Sequence, residues 1–180
     1  MTNFINRRRF LVFFGALLVI GLPFYTLADS NAQHNFAVTN IGADASAYDT
    51  ELFNLLRNRK NIIDNKNYFQ MDFSNKFDAL LIQATSAQTK SAASELRKRL
   101  LSGPAAKARA IKDVAAQKIY FFYDACQAHD CGDTNLGLIF EPQTKRMFAK
   151  LTIRGGVEFL GTQSVEEKNL LNYMQSAQSR

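Results

Sequence analysis

Seven consecutive residues, Cys126-Gln127-Ala128-His129-Asp130-Cys131-Gly132, constrain this chain more than any other stretch. They contain the chain's only two cysteines and one of its two histidines. A bridge between Cys126 and Cys131 would enclose four residues, and loop-closure entropy gives so small a ring only about 2 kcal/mol of stabilisation. A bridge wanted for stability would close a longer loop. The segment is hydrophilic and has little value in a core, so it reads as a stiff, exposed loop that presents an imidazole. A plain local staple on a hairpin is the alternative.

The ring exists only if the cysteines meet an oxidising compartment. Residues 1–28 have the pattern of a secretory signal peptide: Arg7-Arg8-Arg9, an apolar run over residues 10–24, then Thr26 and Ala28 before Asp29. The apolar run is shorter than the roughly 20 residues a spanning helix needs, which favours cleavage over stable membrane insertion. The run Asn6-Arg7-Arg8-Arg9-Phe10-Leu11 also approaches a twin-arginine signal, so the export route stays open. Cleavage would remove three arginines and no acid, lowering the formal charge from +6 to +3. With no interleaving of basic and aromatic residues, that charge gives no reason to expect a nucleic-acid partner.

Residues 29–45 are polar and aperiodic and read as a flexible lead-in in which His34 has no role. Residues 46–180 read as a single domain. Tyr48, Leu52, Leu55 and Leu56 recur at helical spacing, and an Asn-rich connection follows over residues 58–67. Tyr68, Phe69, Met71 and Phe73 suggest a short strand or apolar loop. Ser74 is then the expected cap of a helix burying Phe77, Leu80, Leu81 and Ala84. A further helix starts near Ser91, buries Ala93, Leu96, Leu100 and Leu101, and ends at Gly103-Pro104. Its Arg97, Lys98 and Arg99 read as a solvated face.

Beyond residue 107 the pattern changes to strands. Residues 107–111 look extended, and Asp113 marks a turn. Residues 118–123 are aromatic and strongly β-prone, and the cysteine loop interrupts them. Residues 136–140, 147–153 and 157–160 follow as strands, separated by Pro142-Gln143-Thr144 and Gly155-Gly156. Ser164 with Glu167 forms a capping box that opens a helix bearing Leu170, Leu171 and Met174. The expected fold is α+β: an antiparallel sheet with helices packed on one face and the loop protruding from a hairpin.

Three chemistries compete for His129. Cys126, His129 and Cys131 supply only three zinc ligands, and oxidation would remove two of them, so no metal or other cofactor is expected. A catalytic base lacks a nucleophile. A recognition plug fits best, because a short covalent ring is ordered before it binds and imidazole can donate through either nitrogen. No Lys or Arg occurs between Lys118 and Lys145, whereas Asp124, Asp130, Asp133 and Glu141 all do. An acidic tip facing a cationic partner is the expectation.

These residues resemble the periplasmic inhibitors of vertebrate lysozyme. That family carries a disulfide-closed Cys-Lys-Pro-His-Asp-Cys loop on a hairpin after an aromatic strand. Here Cys126, His129, Asp130 and Cys131 match the loop, and residues 120–126 match the strand. Residues 135–142 are similar to the return strand and turn. Glu158-Phe159-Leu160-Gly161 with Ser164 is similar to the closing strand and helix. The resemblance runs over residues 103–174; residues 29–102 share only helical character with the family. It implies a periplasmic, non-enzymatic inhibitor whose loop enters the active-site cleft of a c-type lysozyme or related muramidase. His129 would meet the catalytic acidic pair, one member of which is held protonated by its surroundings. The implied target-binding residues are Gln127, Ala128, His129, Asp130 and Gly132, with Gly132 permitting the turn out of the ring. A homodimer is compatible with the resemblance. Gln127 and Ala128 stand where the family has Lys-Pro, which removes a fixed φ and a positive charge; relatives also usually carry a tryptophan before the loop, and this chain has none. The rival readings are a same-fold regulator of the cell's own lytic enzymes and a structural envelope protein.

Overall fold

Each β-prone run after residue 107 forms a strand, and each helical period before it forms a helix. The structure is a computed structural model that describes residues 36–38, 47–57, 68–104 and 106–177. The expected signal peptide, His34 and the Asn-rich connection lie outside the described residues. In chain order the elements are β1 (Phe36–Val38), α1 (Leu52–Arg57), α2 (Tyr68–Leu81), α3 (Lys90–Leu100), β2 (Arg109–Asp113) and β3 (Lys118–Cys126). They continue with β4 (Thr134–Glu141), β5 (Arg146–Ile153), β6 (Gly156–Leu160) and α4 (Val165–Ser176). The strands form an antiparallel sheet in sequential order, β1-β2-β3-β4-β5-β6. Five of them make one continuous meander. The three-residue β1 pairs with β2 from inside the stretch expected to be a flexible lead-in.

Residues at φ > 0 close the turns. Gln117 and Lys145 adopt φ +53° and +55° in the β2–β3 and β4–β5 turns, and Arg154 and Gly155 adopt +50° and +79° between β5 and β6. Two consecutive left-handed residues are the type I′ geometry whose twist matches that of the strands they join.

Alternation along β3 and β4 builds two cores. Phe121, Tyr123, Ala125, Leu136, Leu138 and Phe140 face one side and pack against Leu52, Leu55, Phe73, Phe77, Leu81, Leu96 and Leu100 of α1, α2 and α3. Tyr120, Phe122, Ile139 and Phe148 face the other side and pack against Leu170, Leu171 and Met174 of α4. The α+β class is as expected, but the helices do not share one face: α4 covers the opposite one. A buried strand with apolar side chains on both faces needs a helix on each.

Three expectations about the helical half need correction. Residues 68–73 are neither strand nor loop but the opening turns of α2, and Phe73, Phe77, Leu80 and Leu81 share its buried face. Ser74 therefore caps nothing; it is buried within α2 and accepts a hydrogen bond from Arg97 Nη1 at 3.2 Å. Arg97 is likewise not part of a solvated face. Its side chain is 12% exposed, pairs with Asp78, donates to the Leu56 carbonyl at 2.8 Å and lies over the Phe77 ring. Lys98 does remain in solvent, paired with Glu95.

A charged link joins the sheet to α4. The side chain of Glu141 is fully buried, with Arg146 Nε at 2.9 Å and Lys118 Nζ at 3.2 Å. Arg146 also pairs with Glu167, whose carboxylate accepts from the Ser164 backbone N–H at 2.9 Å in the capping box. Burial alone would raise the pKa of Glu141, but contacts from Thr144, Arg146 and Lys118 more than reverse this and hold it below its ordinary value. A depressed carboxylate contributes stability above the unfolded pKa and loses it as pH falls through the folded one. Glu141→Gln is therefore expected to cost about 1–3 kcal/mol at pH 7, with the difference from wild type shrinking below pH 4. Urea unfolding at pH 7 and pH 3 measures both; an equal loss at the two values would show that Glu141 is not the titrating anchor.

Candidate functional site

The loop grows from the end of the β3–β4 hairpin, where Cys126 pairs with Asn135. Cys126 and Cys131 are bridged, with their Cα atoms 4.9 Å apart. Inside and beside the ring the backbone folds on itself: the Asp130 N–H donates to Gln127 O, and the Asp133 and Thr134 N–H groups both donate to Asp130 O. The buried Thr134 donates its hydroxyl to Asp130 Oδ2 at 3.1 Å, and Asn135 Nδ2 donates to Cys131 O at 2.9 Å. His129 forms the apex at φ +62°, a left-handed conformation uncommon outside glycine, though less so for His, Asn and Asp than for other side chains. It is exposed, and its imidazole makes no hydrogen bond among the described residues.

The base of the loop rests on the end of α3. Arg99 Nε donates to Gln127 Oε1 at 2.7 Å, and Arg99 Nη2 donates to Thr134 Oγ1 at 3.3 Å. Ser102 Oγ accepts from the Ala128 N–H at 2.9 Å and donates to the Arg99 carbonyl at 2.7 Å. Gly103 donates its N–H to Cys126 O at 2.9 Å, and a Cβ at this position would stand 2.4 Å from that oxygen and 2.7 Å from Cys126 Sγ. Only glycine fits so close an approach. On the other flank the β5–β6 turn reaches the loop through Arg154 N–H to Asp133 O at 2.7 Å.

The stretch from the first residue of α3 to near the end of α4 carries this whole assembly. Residues 90–175 match the family model described as Inhibitor of vertebrate lysozyme (Ivy). Over those residues the chain is similar to that family. None of the curated proteins matches the chain. The match begins thirteen residues before the resemblance read from the sequence (90 against 103) and so takes in α3, the helix on which the loop rests.

The five residues expected to contact a target do not share one environment. His129 stands at the tip. Gln127 is half-buried with its side-chain oxygen taken by Arg99, so its amide oxygen points to the protein rather than outward. Ala128 and Asp130 are half-buried, and each is bonded to its own scaffold. Gly132 is exposed and does not have a left-handed backbone; a Cβ there would touch nothing. Gly132 does lie in the turn that leaves the ring, over residues 131–133, while the left-handed residue of the loop is His129. Arg99, Ser102, Gly103, Thr134 and Asn135 were not anticipated as parts of the site. The clearest signal was position: Ser102 directly precedes the helix-ending Gly103-Pro104, and Arg99 lies one helical turn before Gly103. Among the described residues, no group of three or more His, Cys, Asp or Glu side chains could hold a metal ion.

The acidic tip is smaller than the sequence suggests. Glu141 lies at the far end of β4, buried and neutralised. Asp124 is 22% exposed and lines a groove of about 740 Å3 that runs from the disulfide past Asn135, Lys150 and Gln175. Only Asp130 and Asp133 remain at the tip itself. Burial pushes the Asp124 carboxyl up to about 7, against the opposing pull of Arg109, whose Nη2 is 3.8 Å away and also donates to Met174 O. A carboxyl whose folded pKa exceeds its unfolded value favours folding at low pH and loses that advantage as pH rises toward the folded value. Asp124→Asn is accordingly expected to raise the melting temperature relative to wild type at pH 8 and to leave it nearly unchanged at pH 4. A variant less stable than wild type at pH 8 would mean that the Arg109 pairing outweighs the burial.

Proposed function

We propose that this protein is an exported, non-enzymatic inhibitor of a c-type lysozyme or related muramidase. In this reading the Cys126–Cys131 loop enters the enzyme's cleft and carries His129 to the catalytic carboxylates. The observation that carries it is an exposed imidazole, without a hydrogen bond among the described residues, at the apex of a covalently closed ring within a segment matching a lysozyme-inhibitor family. Glycoside hydrolysis needs two carboxylates across a cleft, one an acid and one a base or nucleophile. An imidazole placed between them donates to one or both and occupies the space of the scissile bond. The ring meets them already ordered, so little conformational entropy is lost on docking. The periplasm suits this role, because there the bridge forms and the peptidoglycan lies within reach.

The test is a titration of oxidised protein into a c-type lysozyme assay on peptidoglycan, with a muramidase of the producing cell as comparator. Because Ala is strained at a left-handed position, His129→Asn accompanies His129→Ala; Asn accepts that backbone and lacks the imidazole. Both variants are expected to weaken inhibition at least tenfold, about 1.4 kcal/mol. Inhibition within twofold of wild type for both would remove His129 from the plug. Stoichiometric inhibition of the cell's own muramidase alone would instead support the regulator of endogenous lytic enzymes. Reduction of the bridge is expected to weaken inhibition while the domain stays folded, since the ring encloses few residues and two cores remain.

A further inference from the structure

We propose that Arg99 and Ser102, at the C-terminal end of α3, are positioning residues that hold the loop in its binding shape. This inference rests on the loop being the inhibitory element. The bridge joins the ends of the ring but leaves the torsions of residues 127–130 free, and His129 at φ +62° is a conformation that persists only when its surroundings impose it. The surroundings that do so come from α3. Before the apex, Gln127 is held through its side chain by Arg99 Nε, and Ala128 through its N–H by Ser102 Oγ. After the apex, Asp130 is held by Thr134 Oγ1, which in turn accepts from Arg99 Nη2. The chain of donors runs one way, guanidinium to hydroxyl to carboxylate, so every hydroxyl proton has an acceptor and the charged donor strengthens the next bond.

One guanidinium therefore fixes both flanks of His129, and the serine beside it fixes the peptide just before it. The His129 imidazole and the exposed Gly132 just beyond the ring carry none of these bonds. Gln127 belongs to the clamp rather than to the contact surface.

The experiment has two arms, both on the oxidised protein with the bridge verified by mass. The first measures amide hydrogen exchange at Ala128 and Asp130 in the free protein for wild type, Arg99→Ala, Ser102→Ala and Gln127→Ala. The clamp predicts at least tenfold faster exchange at these two amides in Arg99→Ala and faster exchange at Ala128 in Ser102→Ala. The core strands should exchange at unchanged rates. Wild-type exchange at both amides in Arg99→Ala would overturn the proposal. The second arm measures inhibition of a c-type lysozyme by Arg99→Ala, Gln127→Ala and the double variant. Each single variant should lose about tenfold and the double variant no more than the worse single, because both remove the same bond. Additive losses would mean that Arg99 touches the enzyme directly, which also overturns the proposal. Arg99→Lys keeps the charge without the fork of donors, so it should fall between wild type and Arg99→Ala in both arms. If wild type inhibits no lysozyme, the inhibitory reading fails by itself, and the exchange rates still decide whether the clamp exists.

Discussion

The pairing of β3 with β4 is the constraint on which the remaining structure depends. Both strands are buried on both faces, so an apolar pattern alone gives little resistance to a slip of one residue. Individual polar groups supply that resistance. The buried hydroxyl of Tyr123 donates to the Tyr48 carbonyl at 2.8 Å, and Arg109 lies over the Phe122 ring on the opposite face. A slip would exchange these positions and carry Cys126 away from the narrow space opposite Gly103. The hairpin's register, the two cores and the direction of the loop are thus one arrangement.

Around the loop, separate parts of the fold hold separate atoms. The bridge ties the ring's ends, α3 supports its base, and the β5–β6 turn supports its exit through Asp133. Electrostatics contributes less than the run of acids implied. A carboxyl pushed toward neutrality at Asp124 and a neutralised one at Glu141 leave only Asp130 and Asp133 as acids at the tip.

The strands were legible in the sequence because aromatic and branched runs were broken by Gly, Pro and Asp at hairpin spacing. The structure extends the later strands by three residues at most at either end and places β2 at Arg109–Asp113, two residues on from the expected 107–111. The loop and its cysteines were equally legible. What failed was information that local pattern does not hold. Tyr68, Phe69, Met71 and Phe73 looked β-prone residue by residue, yet the spacing of Phe73 to Phe77, Leu80 and Leu81 continues a helical face through them. The capping box marked where α4 begins but not which side of the sheet it covers. Arg97, Lys98 and Arg99 are three adjacent cations in sequence. In space they are a buried tie between helices, a solvated ion pair and a loop support, because successive helical positions diverge by about 100°.

The left-handed backbone at His129 also limits which residues can stand at the apex of the loop. Glycine, asparagine and aspartate tolerate that backbone at little cost, while branched and bulky side chains do not. Any replacement at the apex is therefore filtered by main-chain geometry before side-chain chemistry is tried. Gly132, exposed and without that restriction, is the neighbouring position where new side chains enter most freely.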